Sequence, residues 1–485
     1  MKYLHFDTRA FSLMRILIAF ILIVDLMVRL TDLEAFYADT GVLPLPLLFE
    51  KLWNPYYISV HTCSGLWQVQ LMLFLVSFFC AFMLLIGYRT TLFTFLNWFL
   101  LLSLHNRNGL ILQGGDDLLR MVLFWSMFIP WGAHYSCDRL LNYTKPRNRQ
   151  FFSIATLAYV LQLCYIYTGS ALLKGPEWDT TYTAMYYAYS VDQISYATTK
   201  LVYYHPELLK ILTCLAYYFE LWVPVLFFIP FKHGLFRTLA VGLIIFFHFL
   251  NSLTLFIGLF PFIGMATSIG MLPSSVMDTL DHITRRWKRS VSDGYLKIAQ
   301  HLQHFISWNQ PMYLSNPLYI KLKTAVLIFL TLFVFDWNFS NISFINRKLS
   351  DDLRFIGYGL RLDQNWGMFA PGVFKQDGWY ILEGENKDRK HFNLFFPEEK
   401  LTYQKPASVV SLFKNDRRRK YSENFIFQEN EFIRGYFCNY AARIWNEKHP
   451  KNQVISLKVI YMEEMTLPNY QYAVPQKKVL WQCDL

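Results

Sequence analysis

Lys174 closes the segment YTGSALLKGPEW (167–178), at the end of a long apolar run where a charge is costly. An ionisable group at the edge of a hydrocarbon layer is a functional candidate by default. To act as a general base it must be neutral near neutral pH, whereas a free lysine titrates near about 10.4. Burial in an apolar pocket lowers that value and the partial negative charge of a helix C-terminus raises it, so burial has to dominate. The competing reading is an anchor whose stem covers apolar surface while its ammonium reaches lipid headgroups. Two histidines stand in comparable surroundings. His105, followed by Asn106, ends a fully apolar run. Such a pair can hydrogen-bond a phenolic oxygen and shuttle a proton, or it can cap backbone groups at a loop edge. His248 lies inside another apolar run, with Asn251 and Ser252 following it. Polar side chains there face a bundle interior, where they serve a ligand or bond a neighbouring helix.

The elements that must position these groups are membrane helices. The chain has 485 residues, of which 54% are hydrophobic, 18% aromatic and only 17% charged. Soluble domains average about 45–50% apolar and about 25% charged. The apolar excess falls in the first two-thirds, in runs long enough to cross a bilayer. About nine spans are expected, at 11–30, 69–87, 91–104, 118–131, 152–173, 208–229, 236–255, 257–272 and 319–335. The seventh and eighth form one stretch too long for a single crossing, and Gly258 and Pro261 mark the expected break. The first run carries Arg15, Asp25 and Arg29 and no small-residue cleavage site, which predicts a retained helix and not a removed signal peptide. Arg29 is one turn from Asp25, so a structural pair is expected there.

Charge asymmetry predicts the orientation. With the N-terminus in the cytoplasm, Lys2, Arg9, Arg89, Arg139, Lys145, Arg147, Arg149, Lys232, Arg237 and the stretch bearing Arg285, Arg286, Lys288, Arg289 and Lys297 all fall inside. The C-terminal region then lies outside: periplasmic in a bacterium, whose inner membrane would hold the protein, and lumenal in a eukaryote. The formal charge of +11 is scattered among membrane loops, which speaks for anionic lipid contact and against nucleic acid. The seven cysteines show no zinc or redox spacing, and no metal is expected. Cys63, Cys80, Cys137, Cys164 and Cys214 lie in or beside apolar runs, while Cys438 and Cys483 can pair if their region faces an oxidising compartment.

After about residue 336 the composition shifts, so the chain divides into a membrane domain, 1–336, and an outer domain, 337–485. GWYILEG (378–384), ASVVSLF (407–413), VISLKVIYMEEM (454–465) and KKVLWQC (477–483) read as strands of a small, mainly β unit, with one helix at 432–447. The fold class expected is therefore an all-α polytopic bundle followed by a mainly-β extramembrane domain. The run Arg417–Lys420 reads as a solvated or lipid-headgroup face. There is no G-x-S-x-G, G-K-[ST] loop or H-E-x-x-H, so serine hydrolase, P-loop and metalloprotease chemistries find no support. A transporter would show related halves and polar groups at the bilayer midplane, whereas the polar clusters here gather at the outer ends of the spans.

Those clusters, taken in order, carry a resemblance. FYADTGVLP (36–44), LHNRNGLILQGGDDLLR (104–120), YTGSALLKGPEW (167–178) and HFLNSLTLFIGLFPF (248–262) resemble the vitamin K-dependent γ-carboxylase family. They are closest to its bacterial relatives with the horizontally transferred transmembrane domain. The resemblance covers the membrane region from Asp7 to Phe335, and DQNWGMFAPGVFKQDGW (363–379) looks like the tryptophan-rich entry to the outer domain. It implies a membrane enzyme in which a lysine at the outer end of the fifth helix deprotonates a reduced naphthoquinone of vitamin K or menaquinol type. Oxygen then adds to give an epoxide and a strong base. In the animal enzyme that base removes a glutamate γ-proton and carbon dioxide is taken up. Lys174 would be the base and His105 the histidine assisting epoxidation, with His248, Asn106 and Asn251 holding the quinone. The partners implied are the bilayer, a membrane quinone and a protein or peptide substrate. The alternative is a quinone- or lipid-binding protein of the same fold without catalysis. The animal pattern has paired lysines where this chain has Lys174-Gly175-Pro176, and the outer domain here is shorter, so quinol oxidation is the stronger half of the implied activity.

Overall fold

The computed structural model describes residues 5–141, 149–284, 294, 296–301, 316–342, 345 and 348–485. Lys2, Lys145, Arg147 and the basic residues 285–289, which entered the orientation argument, lie outside the described residues.

Among the described residues six helices are long and apolar enough to cross a membrane: α1 (Thr8–Leu30), α2 (Trp67–Ile86), α5 (Ile154–Leu173), α6 (Pro206–Trp222, running on to Phe227), α7 (His233–Thr254) and α10 (Pro317–Ser340). At 1.5 Å per residue each is about 30 Å long, the thickness of a hydrocarbon core. The expected third and fourth spans are α3 (Thr90–Arg107) and α4 (Gly114–Ser126). With 13 residues, α4 rises only about 20 Å. Prolines open α6 and α10 at the first helical position, where no backbone donor is lost.

The break between the seventh and eighth runs falls where Gly258 and Pro261 place it. Gly258 adopts φ +62°, a conformation costly for a residue with a Cβ, and α8 (Phe260–Ile269) starts at the proline. α8 bends by 100° into α9 (Ser274–Ile283), so this run is a broken element. α3 packs between α2 and α4, whereas α5 touches α4, α6 and α10, and α7 touches α8.

The C-terminal region is β-rich. Four antiparallel strands are ordered β2-β1-β3-β5, with β1 at Gln376–Asn386, β2 at His391–Asn393, β3 at Val454–Leu467 and β5 at Gln476–Asp484. A two-residue β4 (Gln471–Tyr472) pairs with the end of β3. Both sheet faces are covered, so β1 is buried nearly throughout its length. Trp379 and Ile381 pack on one face with Val409, Ile460 and Met462. Tyr380 and Leu382 pack on the other face in the main core, which also takes in Cys438 and Trp445 of α12 (Arg434–Lys448). A Cys438–Cys483 disulfide ties α12 to β5.

Two expectations for this region are corrected. ASVVSLF is not a strand; only a 3₁₀ turn forms, at Val410–Leu412, with Val409 and Phe413 buried but Ser411 between them exposed, which breaks the alternation a strand requires. The run Arg417–Lys420 is only half a solvated face, with the Arg418 side chain 42% exposed. It belongs to α11 (Asp416–Ile426), and Arg417 and Arg419 are buried because α11 docks against the bundle.

Candidate functional site

A cavity of about 500 Å³ lies between α5, α6 and α7 and the β-rich region. Its membrane-side wall is apolar, with Ile166, Ala216, Phe247, Leu255 and Phe260. Lys174, Glu220, Tyr167, His248 and Asn251 line the same space, and Phe369, Asp377 and Tyr461 line it from the C-terminal region.

Lys174 is placed by the end of α5. The residue caps the helix in an extended conformation (φ −76°, ψ 144°), because Gly175 and Pro176 cannot continue it, and Gly175 N–H donates to Pro371 O at 2.6 Å. This turns the side chain inward. It is only 2% exposed and ion-pairs with Glu220 of α6. The ammonium also sits 4.0 Å from the Trp178 ring centroid, and the Trp178 indole is held by a 2.9 Å bond to Phe369 O. The head is thus inside the protein and not among lipid headgroups. Burial lowers its pKa from the ordinary lysine range, against the opposing charge and hydrogen bond of Glu220.

His248 faces Lys174's cavity from α7. Its Nε2 shares a 2.9 Å hydrogen bond with the Tyr167 hydroxyl, and its ring lies among Phe247 and Phe260 at centroid distances of 5.5 and 5.4 Å. Nδ1 is buried with no hydrogen-bond partner among the described residues. The ring fits only because residue 264 is glycine; a Cβ there would stand 2.2 Å from Nε2.

His105 and Asn106 do not line this cavity. They end α3, which packs away from α6 and α7. His105 Nε2 is 3.3 Å from Asp116, and Asn106 donates to Ile58 O at 2.9 Å while accepting from Arg361. Asp116 belongs to a buried charge network between bundle and outer region. Arg29 holds Asp25 at 2.7 Å and Asp116 at 2.5 Å, as the one-turn spacing in α1 led one to expect for the first pair. Arg417 reaches in from α11 to the same two carboxylates, 2.7 Å from Asp25 and 2.8 Å from Asp116 Oδ1. The set is charge-balanced, which is what lets it be buried.

Sequence reading missed Glu220, Tyr167 and Asp377. Glu220 carried a usable signal, as a lone acid in an apolar span. Tyr167 and Asp377 lay inside quoted motifs with nothing to separate them from their neighbours. Among the described residues no group of three or more His, Cys, Asp or Glu is placed to hold a metal ion. Searches against known protein families, curated proteins and solved structures find no match for this chain.

Proposed function

We propose that this membrane protein oxidises a membrane-borne naphthoquinol, with Lys174 as the general base. The observation that carries the reading is one cavity lined by a buried lysine with a lowered pKa and by a buried histidine with an open Nδ1. A space of about 500 Å³ with an apolar wall beside Lys174 and His248 fits a two-ring aromatic head. Such a quinol, when bound, supplies an acidic ring hydroxyl and the four electrons that reduce dioxygen, two from oxidation of quinol to quinone and two from the ring double bond that becomes the epoxide.

The chain's own residues do the rest. Lys174 Nζ accepts the hydroxyl proton, and Glu220 stabilises the ammonium so formed. With the Tyr167 hydroxyl donating to Nε2, His248 carries its proton on Nδ1 and presents it to a ring oxygen. Asn251 adds a second polar group, and the aromatic wall excludes water, which strengthens each of these interactions. The overall change is naphthoquinol plus dioxygen to naphthoquinone epoxide plus water. Coupling to carbon dioxide uptake by a protein or peptide glutamate is the proposal's extension, read out in the same assay with labelled carbon dioxide. His105, on this reading, acts at a distance through Asp116 and Gln113, since Asp116 accepts from Gln113 N–H at 2.8 Å and Gln113 lines the cavity.

The Lys174–Glu220 pair supports a second reading, because a paired lysine favours its charged form: a quinone- or lipid-binding protein without turnover. Purified protein supplied with reduced menaquinone and reduced vitamin K separates the two. Epoxide from the wild type and none from Lys174→Ala upholds the enzyme; no epoxide from the wild type, with both quinols bound, leaves the binding protein. Topology belongs to the same proposal. Adding α3, α4 and the bent α8–α9 pair to the six long helices would make nine crossings and put the two ends on opposite sides, and the Lys and Arg asymmetry of the loops favours a cytoplasmic N-terminus with the β-rich region outside. The Cys438–Cys483 disulfide supports that side, since disulfides persist in oxidising compartments. A reporter fused after Leu485 that proves cytoplasmic overturns it.

A further inference from the structure

The carboxylates that line the cavity are unequally served. Glu220 has Lys174, Glu423 has Arg419 at 3.0 Å and Lys420 at 2.7 Å, and Glu463 has Lys478 at 2.6 Å. Asp377, at the start of β1, has no cation partner among the described residues. Its Oδ2 accepts the backbone N–H of Asp192, and its Oδ1 is buried without a hydrogen-bond partner, although the residue is only 5% exposed. The neighbouring cation, Lys405, is taken by Asp192 and Glu464, each at 2.5 Å. One ammonium thus serves Asp192 and Glu464, and Asp377, the third acid of the group, is left without a cation. A buried charge with an open lone pair is costly unless something completes it.

We propose that Asp377 anchors a second binding subsite in this cavity, which takes the primary ammonium group of a ligand. An ammonium supplies the missing positive charge and a donor for Oδ1. Tyr461 and Phe427 line the same cavity and offer aromatic faces that favour a cation over a neutral group. Burial and the charge of Asp192 push the Asp377 carboxyl up to about 7, so it is ionised in mildly alkaline solution. The other titratable groups around it are Lys405, Glu463, Glu464 and Tyr461. Lys405 and Glu463 are fully committed to partners. The inference does not rest on the redox reading, because it concerns binding and needs no turnover.

The test uses the full-length protein in phosphatidylcholine nanodiscs at about pH 8. Benzylamine, benzyl alcohol and benzoate are titrated against tryptophan fluorescence, since Trp178 lines the cavity. Benzylamine is expected to bind about tenfold more tightly than benzyl alcohol, and benzoate more weakly than either. Asp377→Asn is expected to erase that gap, while Glu463→Gln preserves it. Displacement of benzylamine by added phosphatidylethanolamine identifies a lipid headgroup as the source of the amine. Displacement by Nα-acetyl-lysine methylamide identifies a peptide side chain. Equal binding of benzylamine and benzyl alcohol by the wild type overturns the proposal even if the Asn variant fails to fold, and so does a gap that survives in a folded Asn variant.

Discussion

Arg417→Ala removes one cation from a buried set of two carboxylates and two guanidinium groups. Arg29 alone then faces Asp25 and Asp116, and the Ile111 carbonyl loses a 3.1 Å donor. Breaking a buried pair by deleting one partner costs about 3–5 kcal/mol, because a charge is left uncompensated where water does not reach. Arg417 is supplied by α11 and its partners by α1 and α4, so the cost falls on the docking of the C-terminal region against the bundle. That corresponds to a rise of about two to four decades in the population of the undocked state. Native-state proteolysis of the protein in nanodiscs, run slowly enough for reclosing to outpace cleavage, reads this population directly. Arg418→Ala is the matched control. Its side chain is 42% exposed, and Asp32, the acid it bonds at 2.6 Å, keeps Lys414 and Asn415 when Arg418 is removed, so the loss is about 1 kcal/mol. Adding Asp25→Asn to the Arg417 variant restores charge balance and is expected to recover more than half of the loss. Indistinguishable proteolysis of the Arg417 and Arg418 variants refutes the argument that this network holds the two regions together.

Three further outcomes follow from the cavity. Glu220→Gln removes the charge that raises the pKa of Lys174, so the base titrates lower and the acidic limb of any quinol-oxidation pH profile moves to lower pH; an unmoved limb argues against Lys174 as the base. Gly264→Ala puts a methyl group on His248 Nε2 and is expected to cost about 1–3 kcal/mol of thermal stability, with loss of quinone affinity, whereas Gly242→Ala, whose Cβ meets nothing within 4 Å, serves as control. For Asp377 the sign runs against the usual carboxylate. Its folded pKa of about 7 lies above the free value, so between about pH 4 and pH 7 the folded state holds a proton that the unfolded state has lost, and stability falls as pH rises. Asp377→Asn should abolish that slope, worth about 2–4 kcal/mol at pH 8, in denaturation followed from about pH 5 to pH 8; a slope that persists in the variant assigns it to another group.

Much of the bundle was legible because membrane insertion is governed by local composition. A run of apolar residues must form helix wherever its backbone has no water to bond, so α1, α2, α5, α6, α7 and α10 lie close to where hydropathy places them. Pro206, Pro317 and the Gly258–Pro261 pair set ends that follow from ring geometry alone. Strands β1, β3 and β5 were readable from their β-branched and aromatic content, and Asp25–Arg29 from one helical turn. Lys174 stood out because a charge in an apolar segment is rare.

What separates His248 from His105 is not written in either segment. Both end or interrupt apolar runs beside asparagines, and only the packing of α3 away from α6 and α7 sends one to the charge network and the other to the cavity. Arg417 looked solvated because a basic run is indifferent to its surroundings until a neighbouring element supplies acids; Asp25 and Asp116 do so from 392 and 301 residues away in sequence. Glu220 and Asp377 likewise acquire their meaning from what they face, one a lysine and the other no cation. Local composition by itself determined that this chain enters a membrane, where its six long apolar helices and the strands β1, β3 and β5 lie, and that Lys174 is exceptional. Tertiary packing decided which charges are balanced and which are left open, because electrostatic pairing depends on distance in space and on exclusion of water, and neither is a property of neighbouring residues in a chain.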